Sequence, residues 1–444
     1  MIDKNRPCFA RHRALALPLC LLSLAFSHAA TAAQSFVPDV RIDQGEEWKP
    51  TRGWLPYALV TDELDTVIGA GAGVSGVLNQ RQASLWGTGY YTSNESWLLL
   101  GSLNDYRLPG TERLFFGAYG KLSHFTERRL YAGYSDEFPG ERAGSNDSDK
   151  DNFRTAVGDD NEWQLSFKYV LPLGSAREEA VRTHVLDRGE LASAPDGGET
   201  WNPLASGGTL IELRPFYRHG VALDEEGLEG EVYTNGLRLA LQYDNRDFPA
   251  DPSAGSVQRF EYVEDYGWSN STDSWSLWSL DLRKYFGLGS NRWLRKQVIA
   301  LDARTAYSSS WDERSDGTIR HRPPGFLDDG TSLGGYMRLR GYAQDRFRDK
   351  ASIYYSAEYR VTPQWNPFRE MPVINYFEID WWQLALFGEL GRVAPSWDLG
   401  DLHSDMKPDV GIDLRFMTKK AVVRVGLANG DDGTAMWAMV NHPF

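Results

Sequence analysis

The chain has 444 residues and a net charge of −14, with 16 Trp, 21 Tyr, 20 Phe and 43 Gly but only 2 Cys. So acidic a composition excludes a nucleic-acid-binding protein, which needs a basic surface. No run after Phe26 approaches the ~18 apolar residues of a membrane-crossing helix, which sets helical membrane proteins aside.

Lys4, Arg6, Arg11 and Arg13 precede an apolar run from Ala14 to Phe26, and Ala30, Thr31 and Ala32 supply small residues for cleavage. Residues 1–33 therefore read as a secretory signal peptide. Cys8 and Cys20 both lie inside it, so the mature chain is expected to carry no thiol, disulfide or cysteine metal site. Leu19 stands where a lipoprotein signal needs a small residue, which argues against lipidation. Cleavage removes four cations and one acid and takes the charge from −14 to −17. An exported, cysteine-free, aromatic-rich chain leaves two classes, an outer-membrane β-barrel and a soluble exported all-β protein.

Residues 34–63 form a polar lead with Pro38, Pro50 and Pro56, too short to fold alone. Residues 64–444 read as one domain. Segments of period-two alternation, bounded by turn residues, run over 65–77, 83–92, 95–103, 112–122, 128–134, 161–173, 209–221, 234–244, 256–268, 274–286, 297–311, 351–361, 382–393, 409–417, 421–428 and 434–444. The fold class that follows is all-β: a transmembrane antiparallel β-barrel of about sixteen strands.

The two faces of each segment differ in kind. Ile353, Tyr355, Ala357, Tyr359 and Val361 alternate with Ser352, Tyr354, Ser356, Glu358 and Arg360. One face suits lipid and the other a salt-bridged lumen. A soluble sandwich would show the same period. Aromatic pairs at strand ends (Tyr90 with Tyr91, Tyr285 with Phe286, Trp381 with Trp382) favour the barrel, as interfacial girdles. So does a last segment ending on Phe444, read as a closing-strand signal.

With a periplasmic amino terminus, parity places 174–208 in the periplasm as the stretch that could hold a partner there, and its 177–187 part is expected to be helical. The stretches 136–160, 334–350 and 395–408 then face outside. Gly71, Gly73 and Gly76 match a dinucleotide fingerprint, but another strand follows where a helix is required, so no cofactor is expected. Asp147, Asp149 and Asp151 resemble the start of a calcium loop, yet Asn152 and Gly158 occupy its key positions, and a solvated acidic loop is the expectation. His124, His184, His219, His321, His403 and His442 stand in no recognisable catalytic setting, and Gly-x-Ser-x-Gly is missing. Neither an enzyme nor a metal site is expected.

The stretch 334–350 is the most informative. It carries Arg338, Arg340, Arg346, Arg348 and Lys350 in an acidic chain. Glu358, Glu389 and Asp413 lie on the polar faces of nearby segments. One reading folds this loop inward and ties it to the barrel wall through Arg340; the other leaves it a solvated surface loop.

Leu339-Arg340-Gly341-Tyr342 resembles the V-R-G-F/Y motif of the BamA/TamA superfamily of bacterial surface antigens. Tyr243, Asp244, Arg246 and Asp247 with Pro252 and Gly255 resemble that family's Y-D-x-R-D hairpin. Glu358, Tyr359 and Arg360 resemble its E-[YL]-R strand, and Phe387, Glu389 and Gly391 its F-x-D-x-G strand. The likeness covers 237–444. It implies a sixteen-stranded barrel whose sixth surface loop enters the lumen, with Arg340 paired to Glu389, a Glu where the family has Asp. Family members that assemble or secrete proteins carry amino-terminal client-binding domains, for which 34–63 is too short, so the resemblance is to a reduced, barrel-only branch.

The function expected is an outer-membrane barrel in biogenesis or envelope maintenance, in contact with outer-membrane lipids, lipopolysaccharide and the assembly machinery. A passive pore and an enzyme or soluble binding protein are the alternatives.

Overall fold

A computed structural model describes residues 37–41, 52–61, 65–193, 200–223, 230–313, 319–324, 331–372, 374–418 and 421–440. Sixteen strands form one antiparallel sheet in chain order. They are β1 (Arg52–Thr61), β2 (Asp65–Ser75), β3 (Ser84–Thr92), β4 (Trp97–Arg107), β5 (Leu114–Leu130), β6 (Arg154–Val170), β7 (Gly208–Leu223) and β8 (Gly230–Asp244). The second half continues with β9 (Gly255–Asp265), β10 (Trp275–Gly287), β11 (Leu294–Tyr307), β12 (Ala351–Pro363), β13 (Ile379–Ala394), β14 (Lys407–Thr418), β15 (Ala421–Gly430) and β16 (Gly433–Val440).

The polarity of this sheet is inverted relative to a soluble protein. Along β12, Ser352, Tyr354, Ser356, Glu358 and Arg360 are buried while Ala357 and Tyr359 are exposed. Elsewhere Ile68, Leu99, Leu165, Leu241, Leu301 and Leu427 point outward and are exposed, whereas Lys121, Arg360, Arg415 and Arg424 are among the largest fully buried side chains. Water-soluble folds bury their apolar face and keep such charges out. Here the greasy face is the outer one, as a barrel in lipid requires.

The sheet curls until its ends meet. Tyr57 of β1 packs in one cluster with Val67, Tyr90, Leu98, Leu100 and, from the far end of the sheet, Val423 of β15. Residues of β1 and β16 come within 8 Å between Cα atoms, with no ladder between these two strands among the described residues. The adjoining edges are β1 and β16; the first alternating segment of the sequence reading, 65–77, is the second strand of the sheet. Residues 1–33 and Phe444 lie outside the described residues.

Several boundaries differ from the sequence reading, each for a physical reason. The sheet begins at Arg52, within the stretch read as a lead; Pro56 is tolerated because β1 is an edge strand that can spare an N–H. The segments 112–122 and 128–134 are one strand, β5, whose pairing with β6 slips between Phe125 and Arg128. A bulge interrupts the period as a turn would. Strand β6 starts at Arg154, so the loop read as 136–160 ends sooner. The strand-end aromatics cannot both face outward, because neighbours alternate: Tyr91 and Phe286 are exposed, Tyr90, Tyr285 and Trp381 buried.

The stretch 177–187 is not helical. Val181–Asp187 is a short strand paired in parallel with Val37–Arg41 and antiparallel with Glu190–Leu191. Arg177, Glu178, Glu179 and Ala180 favour a helix locally, and a partner far away in sequence overrides them. This three-stranded strap crosses one mouth of the barrel. It starts where Ala176 and Ala180 pack on Phe115 of β5 and Val170 of β6. It ends where Leu186 packs on Trp381, Met417 and Val422 of β13, β14 and β15, on the opposite wall. Trp381 Nε1 donates to Gly189 O at 2.9 Å, pinning the far end.

Candidate functional site

The opposite mouth is occupied by the stretch 331–350 between β11 and β12. A two-residue ladder, Ser332–Leu333 against Phe347–Arg348, closes it into a finger. Leu333, Leu339, Tyr342 and Phe347 form its own apolar core against Tyr354 of β12 and Val393 of β13. Packing therefore seats the base of the finger on the wall, and its tip carries charge inward.

Pairing of β12 to β15 sets the receiving wall. Glu389 lies opposite Ser356 on one side and Asp409 on the other, and Arg415 lies opposite Arg424. Arg340 enters this patch completely buried. Its backbone N–H donates to Glu389 Oε2 at 2.7 Å and its Nε to Glu389 Oε1 at 2.8 Å. Nη1 donates to Asp413 Oδ2 at 3.0 Å, and Nη2 lies 2.9 Å from Glu358 Oε1. The guanidinium also stacks 3.4 Å from the centre of the Phe387 ring. Burial alone would pull the Arg340 pKa down, but Glu389, Glu358 and Asp413 reverse this and hold it well above the usual value. Arg340 is therefore charged, and its charge is answered from three strands.

The neighbours of Arg340 lock its position. Gly341 N donates to Asp409 Oδ2 at 2.7 Å, and Tyr342 OH to Pro408 O at 2.9 Å. A Cβ on Gly341 would fall 2.7 Å from Gly430 N, so any side chain would push the finger off the wall. Glu389 accepts a third bond, from Tyr354 OH at 2.6 Å. Around this core Arg360 donates to Glu358 at 2.7 Å and Arg415 to Glu358 and Asp413 at 2.8 Å. Arg424 Nη1 lies 3.5 Å from Asp413. The acids Glu358, Glu389, Asp409 and Asp413 thus match Arg340, Arg360, Arg415 and Arg424 in number.

The structure brings Arg340, Gly341, Tyr342, Glu389, Glu358 and Asp413 together. Sequence reasoning passed over Asp409, Tyr354 and the stacking role of Phe387. Asp409 shares the inward period of Asp413 and Arg415, and that spacing was the available signal.

Outside the lumen, the finger is clamped by the loop 131–153. Arg346 donates to Ser148 O at 2.6 Å, to Ser148 Oγ at 2.8 Å and to Asp432 Oδ2 at 2.6 Å. Arg142 donates to Asp349 at 2.6 Å, and Asn146 to Asp405 O at 3.1 Å. Arg346→Ala should loosen this clamp by about 1.5–3 kcal/mol, the range for bonds to charged groups. Trypsin should then cut faster within 131–153, with the heat-shifted gel mobility of the barrel little changed.

Two other groupings were candidates. His321 Nδ1 lies 3.1 Å from Ser274 Oγ and 3.0 Å from Asp273 Oδ1. A relay needs the serine and the acid on different ring nitrogens; here both address the same one, so this is no triad. The side chains of Asp147, Asp149 and Asp151 do not converge, and among the described residues no group of three or more His, Cys, Asp or Glu could hold a metal.

No protein-family model matches the sequence, and no curated protein matches it. Solved structures do match. CdiB from Escherichia coli superposes with a TM-score of 0.54 at 11% identity, over 89% of this chain and 63% of that one. The chain has the CdiB barrel fold. CdiB from Acinetobacter baumannii gives a TM-score of 0.49 at 12% identity, over 88% of this chain and 58% of that one. BamA from Haemophilus ducreyi lacking POTRA domains 1-3 gives 0.46 at 13%, over 88% and 70%. The chain spans less than two thirds of either CdiB chain, so the likeness describes the barrel and its strand order.

Proposed function

We propose that the chain is an integral outer-membrane barrel of the BamA/TamA type, acting in outer-membrane biogenesis or envelope maintenance and not as an open pore. The observation that carries this reading is the Arg340 finger, fixed to the inner wall by Glu389, Glu358, Asp413 and Asp409. An open pore keeps its lumen wet. Here the finger stands in one mouth and the strap crosses the other. With a periplasmic amino terminus, six strands precede the strap and return it to that side, beside Val37–Arg41 with which it pairs. The finger then faces outward, and the strap is the surface offered to a periplasmic partner.

The seam between β1 and β16, which carries no ladder among the described residues, supplies what such a barrel would act through. Over the described residues these strands run 10 and 8 residues, beside the 17 of β5 and β6. A strand needs ~9–11 residues to cross a bilayer, and a seam wall of that height would thin the membrane beside it.

Planar-bilayer recordings test the reading against a passive pore. The intact chain should conduct little, removal of 334–350 alone should leave the strap in series, and removal of both 334–350 and 178–193 should open the lumen. A large, steady conductance of the intact chain would replace this proposal with the pore. Recovery of the protein in the soluble periplasmic fraction would remove the membrane location as well.

A further inference from the structure

Where β10 to β13 run side by side, the outward side chains shrink. Pairing puts Lys284, Leu301, Ala357 and Gly388 in one cross-strand row and Leu282, Ala303, Tyr355 and Leu390 in the next. Ala303, Ala357 and Gly388 lack bulk between three leucines, and the outer wall is hollowed there into an apolar groove of about 510 Å³. That volume lies within the ~300–1,000 Å³ of small-molecule sites. The space is open at its floor: a Cβ on Gly388 would meet nothing closer than 3.8 Å, whereas one on Gly341 would collide.

One end of the groove is marked by a cation. Lys284 Nζ lies 5.4 Å from the Trp201 ring and 5.5 Å from the Phe286 ring. Among the described residues no carboxylate lies within ion-pair distance of it. Trp201 belongs to the stretch between β6 and β7, at the strap end of the barrel. A lysine and aromatic rings at a barrel rim form an interfacial anchor, with the ammonium at headgroup depth.

We propose that this groove binds an acyl chain of one anionic phospholipid, whose headgroup phosphate meets Lys284. The proposal rests on the outer wall being embedded in membrane. The floor of Leu282, Leu301, Ala303, Ala357, Gly388 and Leu390 takes a polymethylene chain, and Gln258 and Tyr355 at its edges carry no charge. The single cation, on a strongly acidic protein, selects a negative headgroup. The strap end faces the periplasmic leaflet in the proposed topology, and that leaflet supplies phospholipid.

The test is native mass spectrometry of the full chain released from detergent, titrated with phosphatidylglycerol or phosphatidylcholine of identical chains. Wild type should retain one phosphatidylglycerol in preference. Lys284→Ala should weaken its retention about five-fold, the factor that ~1 kcal/mol per cation near an anionic surface corresponds to, and leave phosphatidylcholine unchanged. Gly388→Leu should weaken both by filling the floor. Gly388 points away from the Arg340 network, and unchanged heat-shifted gel mobility confirms that the variant folds. Equal retention of both lipids by wild type and both variants would overturn the proposal, leaving ordinary annular lipid. So would a dimer mass lost in Gly388→Leu, which would place a second copy in the groove. If the membrane reading itself were wrong, the protein would stay soluble without detergent, an outcome separate from either.

Discussion

Arg340→Ala should destabilise the folded barrel by about 3–5 kcal/mol, the cost of removing one partner from a buried ion pair. Glu389 is the group most exposed to the loss. It gives up the side-chain bond at 2.8 Å and keeps only Tyr354 and the backbone of residue 340. Asp413 and Glu358 suffer less, because Arg415 still reaches both. The effect should therefore appear first at the finger, as faster surface proteolysis within 331–350, and then as a lower temperature of the heat-modifiable shift on gels. Arg340→Lys separates charge from shape. It keeps the cation but cannot serve Glu389, Asp413 and Glu358 at once or stack on Phe387, so it should fall between wild type and Ala. If Arg340→Ala matched wild type in both assays, the finger would be held by Leu333, Leu339, Tyr342 and Phe347 alone.

Much of this architecture was legible because a barrel wall writes its two faces directly into the period of the chain. The segment through Ser352, Tyr354, Ser356, Glu358 and Arg360 could be placed inward from alternation alone. The count of sixteen came out right through two offsetting differences. The bulge near Phe125 split one strand in two, and Pro56 disguised β1 as a lead. Both are places where a local rule was read correctly but the tertiary setting changed its meaning: a bulge imitates a turn, and an edge strand accepts proline. The strap was beyond reach, since the parallel pairing of Val181–Asp187 with Val37–Arg41 leaves no local mark. The site divides in the same way. Arg340, Glu358, Glu389 and Asp413 stood out as unlike charges around a loop, while Tyr354 read only as an inward aromatic and Phe387 only as a motif position, with no sign that it stacks on Arg340. The charge of both signs on inward faces was itself the clue to a salt-bridged lumen. Charges lining a wet channel can stay apart, but here Arg340, Arg360 and Arg415 are bonded to Glu389, Glu358 and Asp413 and sealed from solvent.

The other half of the barrel carries a second buried network that shares no residue with the first, and Asp160→Ala should disrupt it on a similar scale. Asp160 of β6 accepts from Lys121 Nζ of β5 at 2.6 Å and from Arg218 of β7 through Nε at 2.8 Å and Nη2 at 2.9 Å. Glu162, the remaining acid, stands 3.8 Å from Lys121 and 3.9 Å from Arg218, too far to replace those bonds. Truncating Asp160 therefore takes from Lys121 and Arg218 the carboxylate nearest to both, at a cost of about 3–5 kcal/mol. Hydrogen exchange should quicken in β5, β6 and β7 and leave the finger protected. The penalty comes from stranded charge, so removing a cation as well should relieve it. Asp160→Ala combined with Lys121→Met should recover part of the lost stability, because Met fills the space of Lys without a charge to satisfy. A double variant as unstable as the sum of its single changes would show that packing of the Asp160 side chain, and not its ionic bonds, holds these three strands together.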